Sequence, residues 1–161
     1  GLALSQCGGE VAVTCSAFSG QAILRAFAGH LKRVAHALGG KSPAIVFADA
    51  DLDAAVPGAA MAVFANSGQI CSAGTRLFVE HKIYDEFVSR VAEYGKKLQV
   101  GNGLDPNTQI GPLVSEQQLE RVSSYLAIGQ KEGAKALAGG ARRTEGAVAK
   151  GYFGRPRGLS N

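Results

Sequence analysis

The sequence predicts an α/β fold, a layered and mostly parallel sheet with flanking helices. Short apolar segments typical of strands alternate with longer segments whose apolar residues recur at helical spacing, and this alternation favours parallel pairing. The chain has 161 residues, enough for one compact domain with a hydrophobic core. With 46% hydrophobic and 19% charged residues, its composition is that of a folded globular protein rather than a disordered one.

The first predicted elements are a strand, a helix and a second strand. Residues 11–14 have the apolar character of a short strand, and residues 21–31 place their apolar side chains on one helical face. The serine-rich stretch between them is interpreted as a turn. Residues 34–38 predict the second strand, which ends because Gly39 and Gly40 interrupt it.

The following segments continue the alternation. Pro43 predicts an extended start for a strand at residues 44–47. Asp49 or Asp51 can cap a helix that runs to Phe64, within which a proline predicts a kink or a later start. The remaining predictions are a strand at 76–80, an amphipathic helix at 83–98, a loop at 101–112, a helix from Ser115 to about Gly133, a strand at 134–138, and a stretch at 153–161 that frays.

Composition and charge argue against several classes of function. The net charge of +4 is spread over scattered lysines and arginines without a basic helix face interleaved with aromatic residues, so we expect no nucleic-acid partner. No apolar stretch predicts a transmembrane helix, so no membrane partner is expected, and the N-terminus lacks the features of a signal peptide. The three cysteines show no metal or disulfide spacing, which favours a reducing, cytoplasmic location.

One cysteine lies where a reactive side chain is expected. Cys71 follows the predicted helix that ends at Phe64 and precedes the predicted strand that begins at Arg76, in a polar segment punctuated by glycine. A rigid scaffold can hold a functional side chain out from such a turn. A lone thiol in an apolar setting would instead pack as a small hydrophobic residue.

The segment 64–76, together with residues 38–43 (Leu-Gly-Gly-Lys-Ser-Pro), resembles the aldehyde dehydrogenase family. Further similar pieces follow in the same order between residues 83 and 153, which makes the resemblance specific. Members of that family are several times longer. The resemblance therefore implies a truncated aldehyde-dehydrogenase-like catalytic domain, in which residues 1–38 are the remnant of a dinucleotide-binding domain and residues 39–161 are part of the catalytic domain.

The resemblance implies that Cys71 is a nucleophile. In the family, the thiolate adds to an aldehyde carbonyl, the adduct gives hydride to NAD or NADP, and water activated by a glutamate hydrolyses the resulting thioester. The resemblance also places Ser16, Leu38 and Gln118 at the cofactor. Gln118 and the nearby Arg121 can equally belong to a solvated helix face.

The first departure from the family pattern concerns the general base. Ala37 stands where the glutamate is expected, and losing a general base typically costs a factor of about 10²–10⁴ in rate. His36 is the candidate replacement, but neighbouring strand residues point to opposite faces, so His36 is expected to point away from the face that Ala37 occupies and to pack there. His30 and His81 are expected to be exposed.

The second departure lies in the predicted cofactor turn. Ser16 is retained, but Cys15 replaces the family's glycine, and Phe18 stands where an acidic or polar residue is common. Cys15 either packs as a small buried residue or serves as a second nucleophile. By resemblance, the earlier dinucleotide-binding strands and the asparagine that donates to the oxyanion lie outside these 161 residues.

Three functions are open on the sequence. The family's reaction is the NAD- or NADP-dependent oxidation of an aldehyde. The chain as it stands is better suited to hydrolysing short activated esters through Cys71, because that reaction needs no hydride acceptor. The alternative is a catalytically inactive fragment that assembles as a homo-oligomer, because a truncated sheet exposes strand edges and an apolar face.

Overall fold

The protein is described by a computed structural model that covers residues 9–139, 148–149, 151–154, 156 and 158–160. The chain forms two compact units. The smaller unit comprises the described residues up to Lys41 together with Ile70–Ser72. The larger unit comprises Ser42–Gln69 and the described residues from Ala73 onwards.

The smaller unit contains a strand–helix–strand arrangement. Strand β1 (Glu10–Thr14) and strand β2 (Arg33–Ala37) pair in parallel, and helix α1 (Ala17–Phe27) connects them. The N–H of Cys15 continues the pairing by donating to the carbonyl of Ala37 at 3.2 Å. This crossover is the arrangement predicted from the sequence for the first three elements.

Helix α1 lies four residues earlier than the predicted range 21–31. It begins after Ser16, whose Oγ accepts a hydrogen bond from the N–H of Ser19 at 3.1 Å. The serine-rich stretch therefore caps and begins the helix instead of forming a separate turn. The helix ends at Phe27, whose carbonyl accepts a hydrogen bond from His30 N–H at 2.8 Å.

The larger unit is built on a second parallel pair of strands. Strand β3 (Pro43–Val46) pairs with strand β4 (Arg76–Val79), and helices α2 (Leu52–Phe64) and α3 (Tyr84–Lys97) pack against each other beside them. The core side chains are Val46, Val56, Ala60, Phe64, Phe87, Val91, Leu98 and Ile110.

Helix α2 begins as the aspartate caps predict. The Asp51 carboxylate accepts a hydrogen bond from the N–H of Asp53 at 3.0 Å. Pro57 lies inside the helix without moving this start. Arg90 of α3 forms an ion pair with Asp53, and this hydrogen bond raises the pKa of the Arg90 guanidinium above its ordinary value. At Gly95 the two helices come close, since a Cβ there would lie 3.0 Å from the Phe64 ring.

The last elements are helix α4 (Glu116–Lys131) and strands β5 (Lys135–Ala138) and β6 (Gly158–Ser160). Ser115 caps α4 by accepting a hydrogen bond from Gln118 N–H at 3.2 Å, as the sequence predicts. The prediction that residues 153–161 fray is wrong at β6, which pairs antiparallel with β5. The residues at positions 155, 157 and 161 lie outside the described part.

The described sheet pairs are therefore mostly parallel, which confirms the predicted α/β class. One face of the β3–β4 pair contributes to the core of the larger unit. On the other face, Ile45 and Phe78 lie side by side and are 62% and 52% exposed, and Phe47 just beyond β3 is 64% exposed. None of the helices in the described part is long and apolar enough to cross a membrane.

Candidate functional site

The chain leaves helix α2 through a left-handed turn. Asn66, Ser67 and Gly68 have φ angles of 50°, 58° and 73°. Gly68 adopts this conformation at little cost, whereas Asn66 and Ser67 carry a Cβ that makes it unfavourable. This turn was not predicted from the sequence, although its Asn-Ser-Gly composition is a usable signal for it.

Hydrogen bonds tie the left-handed turn and the residue after it to a distant loop. The Ser67 hydroxyl donates to the carbonyl of Gly111 at 2.7 Å. The Gln69 amide nitrogen donates to the carbonyl of Pro112 at 3.4 Å, and its amide oxygen accepts from the N–H of Val114 at 2.9 Å. All of these residues belong to the larger unit, so this connection is internal to it.

The segment after Cys71 is also fixed within the larger unit. Ala73 is only 4% exposed, and the N–H of Gly74 donates to the carbonyl of Ala62 in α2 at 2.9 Å. The N–H of Arg76, where β4 begins, donates to the carbonyl of Ser42 at 3.2 Å. The short stretch that carries Cys71 therefore leaves from one fixed point and returns to another.

Within the smaller unit, the Cys71 backbone lies close to Gly40, the second of the two glycines that follow β2. A Cβ at Gly40 would lie 3.1 Å from the Cys71 carbonyl oxygen, so a glycine allows the two backbones to come this close. The Cys71 thiol is exposed and free. Ser16 and Leu38 belong to the same unit as Cys71, whereas Gln118 belongs to the larger unit.

The predicted cofactor residues have the following surroundings. The Ser16 hydroxyl caps α1. Leu38 is 40% exposed, and a Cβ added at Gly20 would lie 3.3 Å from one of its methyl carbons. Gln118 lies in the first turn of α4 and is half-buried, and Arg121 is exposed on the same helix. Of these side chains, the structure places Ser16 and Leu38 in one compact unit and the other two in the second.

His36 packs beneath helix α1. Along β2 the side chains alternate between exposed and half-buried, with Ala37 exposed and His36 half-buried. A Cβ at Gly20 would lie 3.2 Å from the His36 ring, so the ring lies against the helix backbone. Its Nε2 atom is buried and has no hydrogen-bond partner in the described part of the chain. His30 and His81 are both exposed.

A separate apolar cavity of about 250 Å³ lies in the larger unit. Ser67 is the polar side chain of its lining, and its hydroxyl is already bonded to Gly111. The cavity can therefore accept an apolar group but offers no acid or base. The lining residues are Val63, Phe64, Ser67, Gly68, Ile110, Leu113, Leu119, Val122, Leu126, Gly154 and Pro156.

No group of three His, Cys, Asp or Glu side chains among the described residues is arranged to hold a metal ion. At Cys71, the groups that the chain itself offers include the thiol and the backbone N–H groups around it. A thiolate can add to a carbonyl carbon, and a backbone N–H can stabilise the oxyanion that forms.

Comparison with known proteins gives consistent matches. A model described as "Aldehyde dehydrogenase family" matches residues 8–161. The chain is 44% identical over 143 residues to a betaine aldehyde dehydrogenase of Bacillus subtilis (strain 168), covering 89% of this chain and 29% of that protein. It is 48% identical over 131 residues to a betaine aldehyde dehydrogenase of Mesorhizobium japonicum, covering 81% and 27%. The chain thus spans less than a third of the length of these relatives.

Solved structures agree with the sequence matches. A betaine aldehyde dehydrogenase of Staphylococcus aureus in complex with NAD⁺ is 34% identical with a TM-score of 0.88, covering 95% of this chain and 30% of that one. An NAD⁺ complex of an aldehyde dehydrogenase from Bacillus cereus is 44% identical with a TM-score of 0.85, covering 92% and 30%. The fold described above therefore corresponds to about a third of each of these chains.

The orphaned His36 nitrogen leads to a prediction about stability. Replacing His36 by leucine is expected to raise the free energy of unfolding by about 1–3 kcal/mol, because the apolar side chain removes a buried polar atom that lacks a partner. Urea denaturation measures the change. His30→Leu is the matched control, since His30 is exposed in the same unit, and it should leave stability nearly unchanged. A loss of stability in His36→Leu would contradict this description of the ring.

Proposed function

Since the chain belongs to the aldehyde dehydrogenase family, we propose that Cys71 is its nucleophile and that the 161-residue chain hydrolyses short activated esters through it. The observation that supports this proposal is an exposed thiol on a short stretch whose two ends are held by hydrogen bonds. A nucleophile that is both accessible and fixed in orientation can attack a carbonyl carbon with less loss of freedom on binding.

The proposed reaction has two stages. The Cys71 thiolate attacks the ester carbonyl, a carbon–sulfur bond forms, and the resulting oxyanion collapses by expelling the alkoxide or phenolate, which leaves a thioester. Water then adds to the thioester and releases the carboxylate, and the thiolate is regenerated. The backbone N–H of Cys71 is the proposed donor to the oxyanion in both stages.

The second stage lacks an evident general base. Ala37 is exposed at the end of β2 and ends in a methyl group, and His36 on the same strand packs against α1 instead. Neither of these two side chains is placed to accept the proton of the attacking water, so this proton passes to solvent. We expect the acyl-enzyme to form faster than it is hydrolysed.

The family's reaction, oxidation of an aldehyde with NAD or NADP, is a second candidate. It is favoured by the NAD⁺ complexes of the similar structures. The residues of this chain fit the cofactor only in part. The Ser16 hydroxyl is already used to cap α1, and Phe18 is 79% exposed in the first turn of that helix. The described part of the smaller unit contains one strand–helix–strand arrangement, whereas a dinucleotide fold uses two halves. We therefore expect this chain to bind the cofactor weakly.

The similarity to longer members of the family also supports a proposed division of the chain into parts of two domains. We propose that residues 1–38 correspond to the end of a dinucleotide-binding domain and residues 39–161 to the first part of a catalytic domain. The proposed substrate is a small aldehyde or ester, and the proposed compartment is the cytoplasm, because both described cysteines are free thiols.

The inactive alternative is supported by the open face of the β3–β4 pair. Parallel strands are nearly always covered on both faces, yet Ile45, Phe47 and Phe78 are each more than half exposed. A second copy of the chain could cover this face and form a homo-oligomer. Self-association of this kind is compatible with ester hydrolysis, but it could also be the only property of the chain.

Ester hydrolysis is tested by removing the thiol. We expect Cys71→Ala to abolish the release of p-nitrophenolate from p-nitrophenyl acetate above the uncatalysed rate, because the attacking atom is lost. Cys15→Ala is the matched control and should retain the activity. Unchanged activity in Cys71→Ala would sink the proposal.

The missing base leads to a gain-of-function prediction. Ala37→Glu is expected to accelerate hydrolysis of the acyl-enzyme by a factor of up to about 10². The carboxylate would lie on the exposed face of β2, three residues before Gly40, which contacts the Cys71 carbonyl oxygen. Steady-state turnover after the initial burst measures this step. Ala37→Gln, which has the same length but no basic oxygen, should give no gain, and an equal gain in both variants would contradict the role of the base.

Self-association is tested by placing a charge on the open face. We expect the wild-type chain to show a concentration-dependent oligomer by analytical ultracentrifugation, and Phe78→Lys to shift it to monomer, because a buried ammonium is costly. Phe18→Lys replaces another exposed phenylalanine, on α1, and is the control that should not change the assembly. A wild-type chain that is monomeric at all concentrations would rule out the self-associating alternative.

A further inference from the structure

We propose that Gln69 is the positioning residue for Cys71. The amide group of Gln69, two residues upstream, fixes the point from which the chain enters the stretch that carries the thiol. This inference rests on the proposed role of Cys71 as the nucleophile. Gln69 itself touches no reacting atom and would act only through the backbone that follows it.

Both the oxygen and the nitrogen of the Gln69 side-chain amide form hydrogen bonds. Its oxygen accepts a hydrogen bond from Val114 N–H at 2.9 Å. Its nitrogen donates to the carbonyls of Asn66 at 3.1 Å and Pro112 at 3.4 Å. One side chain therefore joins three backbone groups from two segments that are more than 40 residues apart in the chain. A side chain with only donors or only acceptors could not make this set of contacts.

The left-handed turn before Gln69 needs such support. Asn66 and Ser67 both have positive φ angles, a conformation that their Cβ atoms disfavour and that persists only when the surroundings enforce it. The Gln69 amide bonds the Asn66 carbonyl, and the Asn66 side-chain amide donates to the Gln69 carbonyl at 3.3 Å. The turn and Gln69 thus hold each other in a reciprocal pair of contacts.

The loop on the other side of Gln69 is a firm anchor. Ile110 and Leu113 are 2% and 9% exposed, so the loop is fixed by two buried apolar side chains. The N–H of Ile110 donates to the Gln99 carbonyl at 2.9 Å, and the N–H of Leu113 donates to the Tyr152 carbonyl at 2.9 Å. Because its partners are held independently, the Gln69 amide is fixed relative to the core of the larger unit.

Gln69 lies where the loss of its side-chain amide should loosen the nearby backbone without unfolding the protein. Gln69 is half-buried, and Val114 is 80% exposed, so water can replace the lost partners when the amide is removed. The Ser67 hydroxyl keeps its own bond to Gly111, so the turn retains a second link to the loop. Loss of the amide should therefore loosen the residues after Gln69 while the fold persists.

The test uses three full-length variants. Gln69→Met keeps the side-chain length and removes every hydrogen bond of the amide. Gln69→Glu keeps an oxygen for Val114 N–H but loses the donors to the two carbonyls. Gln117→Met is the matched control, because Gln117 is exposed on α4. Circular dichroism and thermal melting show that each variant is folded.

Three readouts are compared for every variant. Backbone amide order parameters from NMR relaxation at residues 70–72 measure how firmly the stretch is held. The burst of p-nitrophenolate from p-nitrophenyl acetate measures acyl transfer to Cys71, which depends on orientation. Alkylation of Cys71 by iodoacetamide measures the intrinsic reactivity of the thiol, which an exposed side chain keeps whether or not its backbone is held.

We expect Gln69→Met to lower the order parameters at residues 70–72 and to slow the burst by about tenfold, equivalent to about 1.4 kcal/mol. Iodoacetamide alkylation should stay within about twofold of wild type, because it has little orientational demand. Gln69→Glu should fall between wild type and Gln69→Met, and Gln117→Met should match wild type.

Two results would overturn the inference. Order parameters at wild-type values in Gln69→Met would show that Gln69 does not hold the stretch. Lower order parameters with an unchanged burst would show that the amide is structural and does not position the thiol. If wild-type protein gives no burst at all, the proposed ester hydrolysis fails separately, and the inference that Gln69 positions a nucleophile falls with it, while the order parameters still report what the amide holds.

Discussion

Three consecutive residues with positive φ, Asn66 to Gly68, turn the chain out of α2 and towards Cys71. Asn66 and Ser67 carry a Cβ, and for Ser67 in particular this conformation is unfavourable unless the surroundings support it. The support comes from the loop around Gly111, through the Ser67 hydroxyl and the Gln69 amide. The direction of the segment that holds the candidate nucleophile therefore depends on hydrogen bonds to residues more than 40 positions away.

This dependence explains what the sequence could and could not predict. Helix α3 and the cap of α4 at Ser115 follow from local periodicity and capping, so their positions were predictable to within a residue or two. Helix α1 was predicted four residues too late because the Ser16 cap was interpreted as a turn. Strand β6 was missed because three residues carry little pattern, and their pairing with β5 is set by tertiary structure.

The candidate site also has some features that the sequence predicts and others that it does not. The motif around Cys71 identified the thiol, and family resemblance identified the alanine at position 37 as a departure. The left-handed turn and the hydrogen bonds of Gln69 were not predicted, because their partners lie in a distant loop. A single sequence does not reveal which residues far apart in the chain are hydrogen-bonded. Period-two alternation along β2 did leave His36 on the face opposite Ala37, and the structure packs its ring against Gly20.

In the proposed chemistry, the fold holds the nucleophile in place, but neither Ala37 nor His36 serves as a general base for hydrolysis of the acyl-enzyme. The most direct test is peptide mapping by mass spectrometry after brief treatment with p-nitrophenyl acetate. The expected result is a single acetyl group on Cys71, with Cys7 and Cys15 unmodified. Acetylation spread over the three cysteines in proportion to their exposure, or absent from Cys71, would contradict the view that the fold holds this thiol for attack on a carbonyl.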